Sequence, residues 1–375
     1  MTPSSRQILA GLAALPVTLG AASATYQRLA ERRDARRFPP PGELVDIGGR
    51  RLHIVRTGDR GPAVIVLPSL ATPAAEWVRV QRALAERTDA TIILLDRAGV
   101  GWSDPAPWPR TPAAMADEVG ALITAFGITE PVILVGASVG GLIARLFAAR
   151  HPENVAHLIL SDSSHEDQYQ RLHDVDPRIG DGELWKHAAR WQLRILGWHR
   201  LRLALGWLPE LRQDAEREVP ADLVDAHLAR YLTRPNRRAV VQETVGLLLG
   251  RQPLRDEARD LGDLPITVIT AGPIGRDVWY PPWLELQAEF LDMSTNTRQV
   301  FAHHADHHIN HDDPDLLAGI IHEAIQDTRS QLLVRVQDEA IRADQEAGRT
   351  GSIVDELIAD RRAEAARENA DDPTD

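Results

Sequence analysis

Short apolar segments alternate with longer segments of helical periodicity, and this alternation restricts the possible folds more than any other feature. Three runs rich in β-branched residues lie at 63–67, 91–95 and 132–135. Segments with helical periodicity separate them at 74–86 and 111–126. Wholly apolar runs of this length are typical of parallel strands that helices cover on both faces. The sequence therefore predicts an α/β fold with a doubly wound, mostly parallel sheet.

The predicted sheet continues on both sides of these runs. Residues 44–47 and 51–56 alternate polar and apolar side chains around two glycines, which predicts a β-hairpin. Further strand-like runs lie at 155–161, 266–271 and 298–302.

The segment between Asp162 and Pro265 contains no strand-like run. Because about a hundred residues are too many for a plain loop in a compact fold, we expect an inserted helical cap. Four tryptophans lie in it, and we expect them to join cap helices, with one or two facing a pocket; they are Trp185, Trp191, Trp198 and Trp207.

Composition excludes several classes of function. The chain has no cysteine, which rules out disulfide scaffolds, thiol nucleophiles and thiolate metal sites. The 54 acidic residues outnumber the 42 basic ones, for a net charge of -12. Because such a chain repels phosphate backbones, we expect no nucleic-acid partner.

The charged and apolar residues of the N-terminal segment are arranged as in a secretory signal peptide or a membrane anchor. Residues 7–27 carry no charge, and 8–19 form an apolar run. Arginines follow, which would hold the rest of the chain on the cytoplasmic side of a membrane. We expect a cytoplasmic or membrane-associated protein whose residues 7–27 contact a membrane, or else form a packed helix.

These patterns divide the chain into four parts. We expect an N-terminal segment with a proline-rich linker at 1–41, a core at 42–162 and 263–328, a cap at 163–262, and a charged C-terminal helix and tail at 329–375. Ser352 and Asp355 form a capping box within that tail, which predicts a helix there.

The strongest local signal is Gly-Ala-Ser-Val-Gly-Gly at 136–141. It directly follows the apolar run 132–135 and precedes the helical segment 142–149. A serine between a strand and a helix sits on a sharp turn that needs small neighbours, and the turn exposes its hydroxyl at the sheet edge. The motif predicts that Ser138 is a nucleophile.

With this motif, the chain from about Leu44 to about Gln326 resembles an α/β-hydrolase with a helical cap. Three further segments support the resemblance: the turn at 96–103, the strand that ends in Asp162, and the histidine-rich segment near residue 307. The turn at 96–103 is similar to one that follows the fourth strand in this superfamily. We expect its first residue, Asp96, to hold that loop in place.

The resemblance implies a triad in the chain order serine, acid, histidine. His307 matches the family's position for the base, with Asp306 where a glycine is usual. The alternatives in the same loop are His303, His304, His308 and His311.

Two histidine and aspartate sets in this loop also offer metal ligands: His303, Asp306 and His307, or His304, His308 and Asp312. Their spacing does not match a known binuclear pattern, because Ala302 stands where a histidine is needed. We expect no metal and no cofactor.

The resemblance leaves two candidates for the acid. Asp162 ends one strand, a position that some members use. Asp277 follows the next strand, at the commoner position, but in a loop two residues longer than usual. The sequence favours Asp162 and leaves Asp277 as the alternative.

The oxyanion hole departs from the family pattern. Pro68 and Ser69 stand where many relatives have His-Gly. The resemblance implies that the backbone N–H groups of Leu70 and Val139 form the hole, and backbone donors do not depend on side-chain identity.

We expect a serine hydrolase that cleaves an ester or lactone of a small organic molecule through an acyl-enzyme. The alternatives are a carbon–carbon bond hydrolase, a proline-type aminopeptidase or a perhydrolase with the same triad, or a non-catalytic hydrolase-like binding protein.

Overall fold

The structure, a computed structural model, describes residues 5–193, 196–274 and 278–346. In chain order, the strands within these residues are β1 Glu43–Asp46, β2 Arg51–Thr57, β3 Arg60–Leu67, β4 Ala90–Leu95, β5 Val132–Ala137, β6 Val155–Ser161, β7 Ile266–Ala271 and β8 Thr297–Ala302. They form one sheet in the order β1-β2-β4-β3-β5-β6-β7-β8.

The sheet is mostly parallel, as the apolar runs predict. β2 pairs antiparallel with β1 and with β4, which confirms the hairpin, and the remaining pairs are parallel. Every residue of β5 and β7 is buried. Strands of this kind show no alternation in sequence because helices cover both faces.

Fourteen α-helices lie within the described residues. They are α1 Ser5–Arg37, α2 Val78–Ala85, α3 Pro112–Phe126, α4 Val139–Arg150, α5 Gln168–Val175, α6 Asp181–Leu193, α7 Leu196–Ala204, α8 Pro209–Glu218, α9 Val224–Tyr231, α10 Arg234–Leu249, α11 Gln252–Glu257, α12 Tyr280–Glu289, α13 Ile309–Asp312 and α14 Pro314–Glu346. The helix predicted at 74–86 begins as a 3₁₀ turn, Ala74–Trp77, before α2.

The strand order creates a crevice for a functional site. β4 and β5 follow β3 in the chain but lie on opposite sides of it. The connections that leave the carboxyl ends of β3 and β5 therefore diverge, and ligands of open α/β sheets bind at such a switch point. Ser138 follows β5 and Leu70 follows β3, so both lie at this edge.

The segment between β6 and β7 contains seven helices, α5 to α11, and no strand among its described residues, in agreement with the predicted cap. Trp191 of α6 is buried, with its ring 5.3 Å from that of Tyr231 of α9, so it joins two cap helices as expected. Trp198 of α7 and Trp207, which lies between α7 and α8, are exposed, but their rings pack edge to face at 6.4 Å. Trp185 is exposed.

The N-terminal segment is one helix, α1, whose second half packs on the cap. The Gln27 side chain donates to the Leu232 carbonyl, and Asp34 is paired with Arg200 of α7. No helix among the described residues has both the length and the apolarity to span a bilayer.

The chain divides into two units, Met1–His322 and Glu323–Asp375. The described residues of the second, 323–346, are helical. The helix predicted from Ser352 and Asp355 lies outside the described residues.

Candidate active site

Ser138 lies on a sharp turn between β5 and α4. Its φ of 50° falls in the left-handed region that a serine rarely adopts. A Cβ on Gly136 would lie 2.6 Å from the Gly141 Cα, and one on Gly140 would lie 1.9 Å from the Leu67 carbonyl oxygen. The glycines of the motif are therefore needed for strand and helix to approach this closely.

The structure brings Ser138, His307 and Asp162 together in one hydrogen-bonded series. The Ser138 hydroxyl lies 2.9 Å from Nε2 of His307. Nδ1 of the same ring lies 2.7 Å from Oδ2 of Asp162. Because an ionised carboxylate only accepts, Nδ1 carries the proton and the Nε2 lone pair faces the serine. This is the arrangement in which a histidine can deprotonate a hydroxyl.

Asp162 is fully buried and held from several sides. Its Oδ1 accepts hydrogen bonds from the Ala271 amide at 3.0 Å and from the Trp283 indole at 2.9 Å. Its φ is 40°, so the chain turns sharply at the end of β6. Three donors converge on the carboxyl group, which stabilises its ionised form. The alternative acid, Asp277, lies outside the described residues.

The other histidines of the loop do not reach Ser138 or Asp162 in the described contacts. His303 and His304 are exposed. Burial, with the neighbouring His307, lowers the pKa of His308 to about 4. Asp306 accepts a hydrogen bond from the His308 amide, which stabilises the turn.

Among the described residues, neither metal-ligand set considered from the sequence gathers its ligand atoms in one place.

The loop after β3 is held by a buried arginine. Arg97 donates to the Pro68 and Ser69 carbonyls, each at 2.6 Å. It is also paired with Glu243 of α10, through hydrogen bonds of 3.0 and 2.8 Å. Arg97 and Glu243 are both buried. An ion pair between core and cap therefore holds the carbonyls that precede Leu70.

The backbone around Leu70 is fixed on its other side as well. The next residue, Ala71, has a φ of 47° and donates its amide to Oε2 of Glu243 at 2.8 Å. Val139 is the first residue of α4, where backbone N–H groups have no partner within the helix. The two predicted oxyanion donors thus follow β3 and β5, with the α4 dipole oriented favourably for an anion.

Asp96 holds the turn at 96–103, as expected. Its carboxylate accepts from the amides of Ala74 at 2.6 Å and Trp102 at 3.0 Å, and contacts His53 at 2.7 Å.

Two features of the site could not be predicted from the sequence. Trp283 orients Asp162, and Glu243 holds the loop after β3, but each lies in a helix without a recognisable motif. The sequence did indicate a role for Arg97, because an arginine just after an apolar strand is expected to be buried and to need a partner for its charge.

Comparison with known proteins agrees with the fold. Residues 62–239 match the family model described as "alpha/beta hydrolase fold". The chain is 26% identical over 284 residues to the mouse (Lyso)-N-acylphosphatidylethanolamine lipase, which covers 71% of this chain and 79% of that protein.

Solved structures share the fold. An esterase from Exiguobacterium antarcticum superposes with a TM-score of 0.58 at 18% identity, over 76% of this chain and 99% of that one. The enol-lactonase from Burkholderia xenovorans superposes with a TM-score of 0.55 at 20% identity, over 76% of this chain and 100% of that one. At these identities the likeness concerns the fold alone.

Proposed function

We propose that this chain, whose residues 62–239 match the α/β-hydrolase family model, is a serine hydrolase that cleaves an ester or lactone of a small organic molecule. The observation that carries this proposal is the hydrogen-bonded series from Ser138 through His307 to Asp162. Some enzymes of this fold use an aspartate at the turn after β5 as the nucleophile. The serine at this position in the present chain argues against their reactions.

In the first step, Nε2 of His307 removes the proton of Ser138 while Oγ attacks the acyl carbonyl carbon. His307 then gives that proton to the leaving alkoxide, and the acyl group remains on the serine. Water, deprotonated by His307, attacks the acyl-enzyme and releases the carboxylic acid. In a lactone the leaving alkoxide belongs to the same molecule, so one hydroxy acid is the product.

Asp162 stabilises the imidazolium that forms in each step. Its 2.7 Å contact with Nδ1 keeps the ring in one tautomer, and its burial keeps water from screening the interaction. Trp283 and the Ala271 amide hold the other carboxylate oxygen, Oδ1, in place.

The developing oxyanion receives hydrogen bonds from the backbone amides of Leu70 and Val139. Donors set in place before the reaction are effective because they need no reorganisation when charge develops. The Arg97–Glu243 pair supports this role, because it holds the carbonyls before Leu70 and the amide after it.

Relatives favour oxygen esters as the substrate class. The mouse relative is a lipase, and a relative that is 35% identical over 134 residues is a pimeloyl-[acyl-carrier protein] methyl ester esterase from Chromobacterium violaceum. A carboxylic ester is the bond type that these two names have in common, and a lactone is its cyclic form.

Labelling with a fluorophosphonate probe tests the nucleophile. We expect wild-type protein and Ser164→Ala to be labelled, and Ser138→Ala to be unlabelled and inactive on p-nitrophenyl esters. Ser164 is the matched control, because its hydroxyl lies 3.4 Å from that of Ser138. Labelling of Ser138→Ala would contradict the assignment. A folded wild-type protein with neither labelling nor turnover on esters and lactones would instead be a binding protein.

A further inference from the structure

A second group of histidine and glutamate side chains lies where the cap meets the core. Glu76 belongs to the 3₁₀ turn Ala74–Trp77, and His311 belongs to α13. Glu218 ends α8 and His227 lies in α9, so the cap supplies the other two. Glu76 and His227 are buried, and the side chains of His311 and Glu218 are 3% and 28% exposed.

The ligating atoms of Glu76, Glu218 and His227 lie near one another, and His311 contacts the first of them. Oε2 of Glu76 lies 3.1 Å from Nε2 of His311, and Oε2 of Glu218 lies 3.4 Å from Nε2 of His227. One ligand atom each from Glu76, Glu218 and His227 lies within 4.8 Å of the others. Ligands that bind zinc at about 2.0–2.2 Å in a tetrahedron are roughly 3.3–3.5 Å apart. Shifts of up to about 1.5 Å would bring the ligand atoms of Glu76, Glu218 and His227 to that spacing.

The group has an unusual balance of donors and charge. Two carboxyl groups share a largely buried space with two imidazoles, so the group offers oxygen and nitrogen ligands of the kind that divalent transition metals accept. Nε2 of His227 is the ring nitrogen that faces Glu218, and it is therefore the atom placed to bind a cation.

Nearby arginines do not supply this cation through hydrogen bonds. Arg79 binds backbone carbonyls of residues 216, 217 and 219 rather than the glutamates. The other histidine and acid group of the described residues is different, since Arg145 pairs with Glu166 and Arg255 with Asp167. Fixed guanidinium groups neutralise that second group.

We propose that Glu76, Glu218, His227 and His311 bind one divalent transition-metal ion of the zinc class. Two imidazoles and two carboxylates are ligands that Zn²⁺ accepts in tetrahedral sites, and Co²⁺ occupies the same sites. The ion links α8 and α9 of the cap to the core segment that carries His311, four residues after His307. Its role is to hold the cap on the core, and none of its ligands belongs to the Ser138 series.

Titration of the tag-free, full-length protein with Co²⁺ tests the site without reference to hydrolysis. We expect a visible absorption band of tetrahedral Co²⁺ at one equivalent, which Zn²⁺ abolishes by displacement. Zn²⁺ also raises the unfolding temperature, because it binds the folded state. Absence of the band together with an unchanged unfolding temperature would overturn the proposal.

Variants locate the ion. We expect Glu76→Gln and His227→Gln each to weaken Co²⁺ binding by at least roughly tenfold. The control is His165→Gln in the arginine-paired group, which retains wild-type binding. Wild-type binding by both cluster variants, or loss of binding in the control, would contradict the assignment. If either cluster variant does not fold, His311→Gln and the wild-type titration still decide the question.

Discussion

The role of Asp162 depends on the negative charge of its carboxylate and on the orientation of that group. It accepts from His307, Ala271 and Trp283 at the end of β6, where the chain turns with a φ of 40°. An asparagine has the same shape, but its amide lacks the negative charge and allows the wrong tautomer of the histidine.

We expect Asp162→Asn to lower kcat by about 10⁴-fold with little change in the unfolding temperature. Asp277→Asn, which changes the other acid considered from the sequence, is the control and should retain kcat. Steady-state kinetics on a p-nitrophenyl ester measure both. If Asp277→Asn lost kcat and Asp162→Asn retained it, the acid of the triad would be Asp277.

Glu166 gives a second prediction for a single residue. It pairs with Arg145 of α4 at 2.8 Å, and both side chains are 1% exposed. Burial alone would raise the pKa of Glu166, but the charge and hydrogen bonds of Arg145 outweigh it and lower the pKa from 4.5 to about 2. The pair therefore contributes fully above pH 4.5, and its contribution is lost as the pH falls toward 2.

We expect Glu166→Gln to reduce the free energy of unfolding by about 3–5 kcal/mol at pH 7, because Arg145 remains buried without its partner. The difference from wild type narrows below pH 4.5. Glu257→Gln, which breaks the more exposed pair with Arg150, costs less than about 1 kcal/mol. Urea unfolding across this pH range measures both, and a pH-independent difference would contradict the role of the pair.

At the scale of elements, cap helix α10 controls the loop after β3. The Glu243 carboxylate accepts hydrogen bonds from the Arg97 guanidinium and from the Ala71 amide. Trp191 of α6 packs in the same buried cluster as Ala71. The cap therefore positions a loop of the core.

We expect Glu243→Gln to lower kcat by up to about 10²-fold with little change in KM, because the loop shifts and the Leu70 amide loses its orientation. Arg97→Lys should act in the same direction, since one ammonium cannot hold two carbonyls and a carboxylate in fork geometry. Glu257→Gln again serves as the control. A change in KM alone would mean that the pair shapes substrate binding instead.

Strand positions were predicted closely in this protein. The runs at 155–161 and 266–271 match β6 and β7 to the residue, because parallel strands buried on both faces are mostly apolar. The segment at 74–86 was less exact, since the 3₁₀ turn Ala74–Trp77 is set by the Asp96 carboxylate, which binds the Ala74 amide from another part of the chain.

At the scale of the molecule, α1 is attached to the cap by buried polar contacts. Asp34 pairs with Arg200 of α7, whose guanidinium also donates to the Ala229 and Leu232 carbonyls. The two side chains are 7% and 8% exposed. The pair therefore belongs to the interior formed by α1 and the cap.

We expect Asp34→Ala to lower the free energy of unfolding by about 3–5 kcal/mol, because Arg200 is left buried without its partner. Arg33→Ala is the control: its side chain is 71% exposed, so its loss should have little effect. Chemical denaturation followed by tryptophan fluorescence measures both. Equal effects would mean that α1 does not pack on the cap as described.

The sequence by itself determined the α/β class, the strand positions and the turn that carries Ser138, because each depends on neighbours in the chain. Only the tertiary structure decided that Asp162 reaches His307, 145 residues away, and that Glu243 reaches Ala71, 172 residues away. It also brought Glu76 to His311 across 235 residues. Local patterns record how a segment buries its side chains, whereas buried polar partners are chosen by the packing of distant elements.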